Sequence, residues 1–108
     1  MAETIVNDAI VIAKKYLSLL KKKNISFERV YLFGSFAKGN PKEYSDIDLA
    51  IFAEEWTPDI IEAQMMLMRL RSHVDYSIEP HPFRLSDLDD PDPLIEEILK
   101  HGKLIVIN

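Results

Sequence analysis

Two carboxylates open a segment whose other residues belong in a core: Asp46-Ile47-Asp48-Leu49-Ala50-Ile51-Phe52-Ala53. Burying a charge is costly unless something pairs with it. The segment is therefore either a wet edge or one end of a site that expects a cation. A shorter apolar run, Arg29 to Phe33, precedes it and is closed by Gly34-Ser35. Between the two, Phe36 to Tyr44 carries Gly39-Asn40-Pro41, a strong loop signal. The two runs read as strands, and the rest of the chain has to be arranged around them.

Residues 3 to 23 have helical spacing in Val6, Ala9, Ala13, Leu17 and Leu20, while Ile5, Ile12, Tyr16 and Leu19 widen the apolar face. Lys21-Lys22-Lys23 suits the negative pole of the helix dipole, and Asn24 is a stop signal. After the second strand, Thr57-Pro58-Asp59 reads as a helix start, with Thr as the cap and Pro at the first helical position. That helix runs to about Arg71. Val74 to Ile78 reads as a third strand. Pro80, Pro82 and the cluster Asp87, Asp89, Asp90 read as an irregular acidic connection. Asp92-Pro93 repeats the cap-plus-proline start, Gly102 follows the last helix, and Leu104 to Ile107 is a short terminal strand or an extended tail. The helix between strands two and three makes that pair parallel by a crossover. Strands one and two are joined by about a dozen residues and can pair antiparallel. The expected fold is α/β (α+β): one domain over residues 1–108, with a small mixed sheet of three main strands flanked by helices.

This geometry brings Gly34-Ser35, at the end of strand one, to Asp46, at the start of strand two. Asp75 is expected at the same sheet edge. Side chains alternate along a strand, so Asp46 and Asp48 point the same way and their oxygens can converge on a hard cation. Mg2+ favours a few carboxylates plus water and phosphate oxygens. Three carboxylates at one edge suit in-line displacement at phosphorus. Gly34 lets backbone approach a phosphate closely, and the Ser35 hydroxyl and nearby N–H groups can donate to it.

Composition narrows the alternatives. There is no cysteine, which excludes disulfides, thiol catalysis and Cys-ligated zinc. The net charge of −5 argues against direct nucleic-acid binding as the main task. The charge is uneven: residues 1–44 carry eight Lys/Arg against four Asp/Glu, and residues 45–108 five against fourteen. No segment is apolar enough to span a membrane, and Glu3, Asp8 and Lys14 interrupt any signal-peptide core, so a cytoplasmic location is expected. His73, His81 and His101 are dispersed without zinc spacing and read as surface or packing residues. Consecutive Met65 and Met66 cannot share one narrow helix face, so at least one is expected outward, where Met favours adaptable contacts. The acidic cluster before Pro93 lacks EF-hand spacing and reads as a turn and a cap.

Gly34-Ser35, ten residues, then Asp46-Ile47-Asp48, with Asp75 one crossover later, resembles the nucleotidyltransferase superfamily that includes the DNA polymerase β palm. The short length and "GSFAKG…SDIDLAIF" resemble the minimal nucleotidyltransferases (MNT), which are often paired as antitoxins with HEPN-domain ribonuclease toxins. The resemblance implies that Gly34 and Ser35 bind nucleotide phosphates, that Asp46 and Asp48 ligate Mg2+, and that Asp75 is the third carboxylate. Phe36 stands where the family commonly has a basic residue, so Lys38 is expected to supply that charge. The implied activity is Mg2+-dependent transfer of AMP from ATP to a hydroxyl, a tyrosine of a HEPN toxin, silencing its ribonuclease. A binding antitoxin that acts by occlusion, and a small-molecule nucleotidyltransferase, are the alternatives.

Overall fold

A computed structural model describes residues 2–37 and 46–107, with side chains from residue 4 onward. Its elements are α1 (Ala2–Lys22), β1 (Arg29–Phe33), β2 (Ile47–Ala53), α2 (Ile60–Leu70), β3 (Ile78–Arg84), α3 (Pro93–His101) and β4 (Lys103–Ile105). Short 3-10 turns occupy Gly34–Phe36, Arg71–His73 and Leu85–Leu88. The sheet order is β3-β2-β1-β4. As expected from the connections, β1 pairs antiparallel with β2, and β2 pairs parallel with β3 across α2. β4 adds an antiparallel edge to β1. The result is a mixed α+β fold.

β2 is central, and Leu49 to Ala53 are all buried, which is why the run is apolar without alternation. Its two faces meet different layers. Ile47, Leu49 and Ile51 join α1 (Ala9, Ala13, Tyr16, Leu17, Leu20) and α2 (Ala63, Leu67) in the larger core. Ala50 and Phe52 face α3 through Ile95 and Ile98 in the smaller one. Phe52 stacks on Phe83 at 5.2 Å on that side. Tyr16 is fully buried, and its hydroxyl donates to the Leu67 carbonyl at 2.7 Å, tying α1 to the last turn of α2. Burial pushes the Tyr16 phenol well above its ordinary range, and nearby Arg71 offsets this in part. α1 ends where Asn24 adopts a positive φ of 61°. On α2, Met65 is exposed at 50 % and Met66 half-buried, in line with the two-face expectation.

Two expectations need correction. The third strand is not Val74 to Ile78; it begins at Ile78 and runs through Pro80 and Pro82 to Arg84. β3 is an edge strand, so the missing N–H groups fall on its free side, where no ladder needs them. The carbonyls of Ile78 and Pro80 accept from the Arg71 guanidinium (2.9 Å) and the Gln64 amide (2.8 Å). Side chains thus occupy backbone groups that would invite another strand. The second correction is at α2. Asp59, not Thr57, is its N-cap: the carboxylate accepts from the Glu62 N–H at 2.9 Å, and the Thr57–Pro58 bond is cis. At α3 the expected cap holds, with Asp92 accepting from Ile95 N–H at 2.8 Å and Pro93 in the first turn. No helix among the described residues is long and apolar enough to cross a membrane.

Candidate active site

Asp48 lies between two register partners, Phe33 of β1 and Glu79 of β3. Because Ile47 and Leu49 on either side of it fill the larger core, its side chain is turned to the face that α3 covers further along the sheet. There it is half-buried. Its Oδ1 lies 3.3 Å from Nε2 of His81, and the His81 ring meets Phe33 edge-on at 5.2 Å. Sequence spacing treated His81 as a surface or packing histidine. Only the β2–β3 register, with Ala50 opposite His81, reveals that it reaches Asp48.

Gly34 follows directly, as the first residue of the turn Gly34–Phe36. Its φ is +74°, a conformation that side chains disfavour, and a Cβ there would collide with the Asp48 carboxylate. Glycine is thus required twice, by backbone conformation and by the carboxylate lodged against it. Ser35 is half-buried in the same turn, and Phe36 is buried in the larger core, anchoring the turn. Phe36 therefore faces away from Asp48, which accounts for an apolar residue at a position expected to be basic. Asp46 is exposed immediately before β2 and, by alternation, shares the face of Asp48. Lys38, expected to supply positive charge, lies outside the described residues, as does the Gly39-Asn40-Pro41 loop signal.

Asp75 is at the same end of the sheet but precedes β3 rather than lying in it. Its Oδ1 accepts from the N–H (2.8 Å) and hydroxyl (2.5 Å) of Ser77, and it borders a cleft with Ile5, Ile12, Phe36 and Ile47, on the α1 side. The carboxylate opposite Asp48 is Glu79. Its Oε1 pairs with the Arg71 guanidinium at 3.0 Å. Sequence reading missed Glu79 because it sits between Ile78 and Pro80, in a stretch whose prolines signal a loop. The usable signal was the alternation Ile78-Glu79-Pro80-His81-Pro82-Phe83, which has strand period.

Among the described residues no three Asp, Glu or His side chains are grouped tightly enough to hold a metal by themselves. The donor chemistry still fits one class of ion. Asp46, Asp48 and Glu79 offer hard carboxylate oxygens, and an ion that takes one or two of these and completes its shell with water and phosphate is Mg2+.

Three comparisons bear on this arrangement. A family model for the polymerase beta nucleotidyltransferase domain matches residues 14–108. No curated protein sequence matches significantly. Among solved structures, the chain is similar to a candidate nucleotidyltransferase from Sulfolobus solfataricus (19 % identity, TM-score 0.67, 95 % of this chain and 84 % of that one). It is also similar to a toxin–antitoxin with AMP-PNP (22 % identity, TM-score 0.56, 88 % and 73 %). A mutant of the toxin–antitoxin MntA-HpeT is a third (27 % identity, TM-score 0.59, 87 % and 71 %).

Proposed function

The chain belongs to the polymerase beta nucleotidyltransferase family, and from that premise we propose that it transfers AMP from ATP to a tyrosine hydroxyl of a HEPN-type ribonuclease toxin, acting as its antitoxin. The observation that carries the chemistry is the Asp48 carboxylate lodged against Gly34, on the sheet face it shares with Glu79. A backbone turn suited to phosphate and carboxylates suited to a metal are thereby adjacent. The likeness to toxin–antitoxin structures, one of them with AMP-PNP, supports the nucleotide and the class of partner.

In this reading Gly34 and Ser35 receive the phosphates through backbone N–H groups and the Ser35 hydroxyl. Asp46 and Asp48 would hold Mg2+, which when bound neutralises phosphate charge. The acceptor hydroxyl oxygen bonds to the α-phosphorus, the bond from that phosphorus to the bridging oxygen breaks, and pyrophosphate leaves. The hydroxyl proton passes to a carboxylate. The β2–β3 register supports Glu79 in that role rather than Asp75, with Arg71 fixing the Glu79 side chain. The direct experiment mixes the chain with its partner toxin and ATP labelled at the α-phosphate. Label on the toxin, dependent on Asp48, is the expected result. Protection of cells without any label would favour neutralisation by occlusion.

A further inference from the structure

The prolines of β3 frame a histidine that the proposed transfer does not use: Pro80-His81-Pro82. Proline fixes its own φ, and the residue before a proline is confined to extended backbone. The direction in which the His81 side chain leaves β3 is therefore stiff. His81 lies two residues beyond Glu79, the register partner of Asp48, so it shares the face of Asp48. Its Nε2 lies 3.3 Å from Asp48 Oδ1, and its ring meets Phe33 edge-on at 5.2 Å. Phe33 is the register partner of Asp48 on β1. One neighbour of Asp48 thus braces the ring that contacts Asp48 itself.

Asp48 has reason to need that contact. Glu79 stands directly opposite it, and facing like charges push a carboxylate toward solvent. Glu79 is held by the Arg71 guanidinium at 3.0 Å. Asp48 has its Oδ2 against Gly34, where only the missing Cβ leaves room, and that contact limits its position without attracting it. The attraction comes from His81. A carboxylate only accepts hydrogen bonds, so the bond places the ring proton on Nε2. A carboxylate oxygen accepts more than once, so Oδ1 can receive the imidazole N–H and still serve a cation. Side chains that ligate metals are commonly oriented by a neighbouring bond of this kind. We infer that His81 is a positioning residue: its Nε2–H holds Asp48 in the pose from which the carboxylate would take Mg2+. The inference rests on the nucleotidyltransferase reading above, and His81 acts through Asp48 rather than on the reacting atoms.

Two variants separate the donor from the ring. His81→Phe keeps a ring against Phe33 and removes the donor. His81→Gln removes the ring and keeps an N–H donor with a reach close to that of Nε2. Thermal melts establish that each is folded. Label transfer to the partner toxin, measured across Mg2+ concentrations, should need about tenfold more Mg2+ in His81→Phe, with His81→Gln close to the parent. A histidine that only packs predicts the reverse ranking. His81→Phe matching the parent, or His81→Gln no better than His81→Phe, overturns the positioning role. A second readout needs neither metal nor turnover. In mildly alkaline, metal-free buffer, the long-range proton–nitrogen NMR spectrum of the histidine rings should show His81 protonated at Nε2. Its ring signals should move in Asp48→Asn, while those of His73 and His101 stay in place. A proton on Nδ1, or His81 signals indifferent to Asp48→Asn, overturns the inference while the nucleotidyltransferase reading stands. A parent chain that transfers no label ends that reading, and the role of His81 with it.

Discussion

Gly34 and Asp48 are mutually dependent. The positive φ and the carboxylate occupying the space of a side chain leave no room for alanine. Gly34→Ala should lower stability by about 1–2 kcal/mol for the left-handed backbone alone. It should also displace Asp48, so that label transfer falls more steeply than the melting temperature suggests. Full transfer in a folded Gly34→Ala variant would contradict this coupling. The third carboxylate gives a sharper contrast. Glu79→Gln should reduce turnover by about 100-fold or more, in the range for loss of a proton acceptor. Asp75→Asn should instead act on stability, by about 1 kcal/mol for weakened bonds to Ser77, and leave turnover within a few-fold. Steady-state label transfer and a thermal melt on both variants check the assignment, and the reverse ranking would restore Asp75 to the site.

Tyr16 fastens α1 to α2 through a single buried hydroxyl. The folded state holds the Tyr16 proton to higher pH than the unfolded chain, whose phenol titrates near the ordinary value of 10.0. The linkage sign follows. Below that pH the contribution is fully present; above it the unfolded state binds fewer protons, and stability falls as pH rises toward the raised folded value. Tyr16→Phe should be less stable at neutral pH by about 1 kcal/mol and lose less stability in the alkaline range. Denaturant midpoints for both proteins across pH 8–11 check this, and parallel curves would contradict it. At the opposite edge, Pro80→Val with Gln64→Ala restores an N–H and releases a carbonyl on the free side of β3. The double variant should self-associate with concentration by light scattering, whereas the parent edge resists it.

What could be read from the sequence at this scale follows from which signals are local. β1, β2, the α3 cap at Asp92 and the stop at Asn24 all rest on residues within one element, and the reading met the structure there. β3 did not, because two prolines three residues from a turn mean a loop until the strand is known to lie at an edge. That single fact is topological, and with it moved both the start of β3 and the carboxylate opposite Asp48. The contact of His81 with Asp48 was equally invisible, since it depends on register between segments 33 residues apart in the chain. The meeting of Gly34 with Asp48 was legible because one turn and the strand paired beside it hold the two.

At the scale of the molecule, α1 and α2 cover one sheet face, while α3 covers only part of the other. Asp48, Glu79 and His81 lie on that second face and keep part of their side chains exposed among the described residues. Partial exposure of this kind suits an acceptor that is itself a protein. The excess of acid over base in residues 45–108 would draw a basic partner and make encounter slower at high salt. All of this hangs on whether the Asp48–Gly34 arrangement performs group transfer. The most direct measurement is label from α-labelled ATP on the co-purified toxin, resolved by mass spectrometry to one residue type, with Asp46→Asn and Asp48→Asn run beside the parent. The account predicts one or more AMP groups on a tyrosine with the parent, release of pyrophosphate in equal amount, and neither with the two folded variants. Undiminished transfer by both variants, or toxin neutralised by the parent with no added mass, would contradict it.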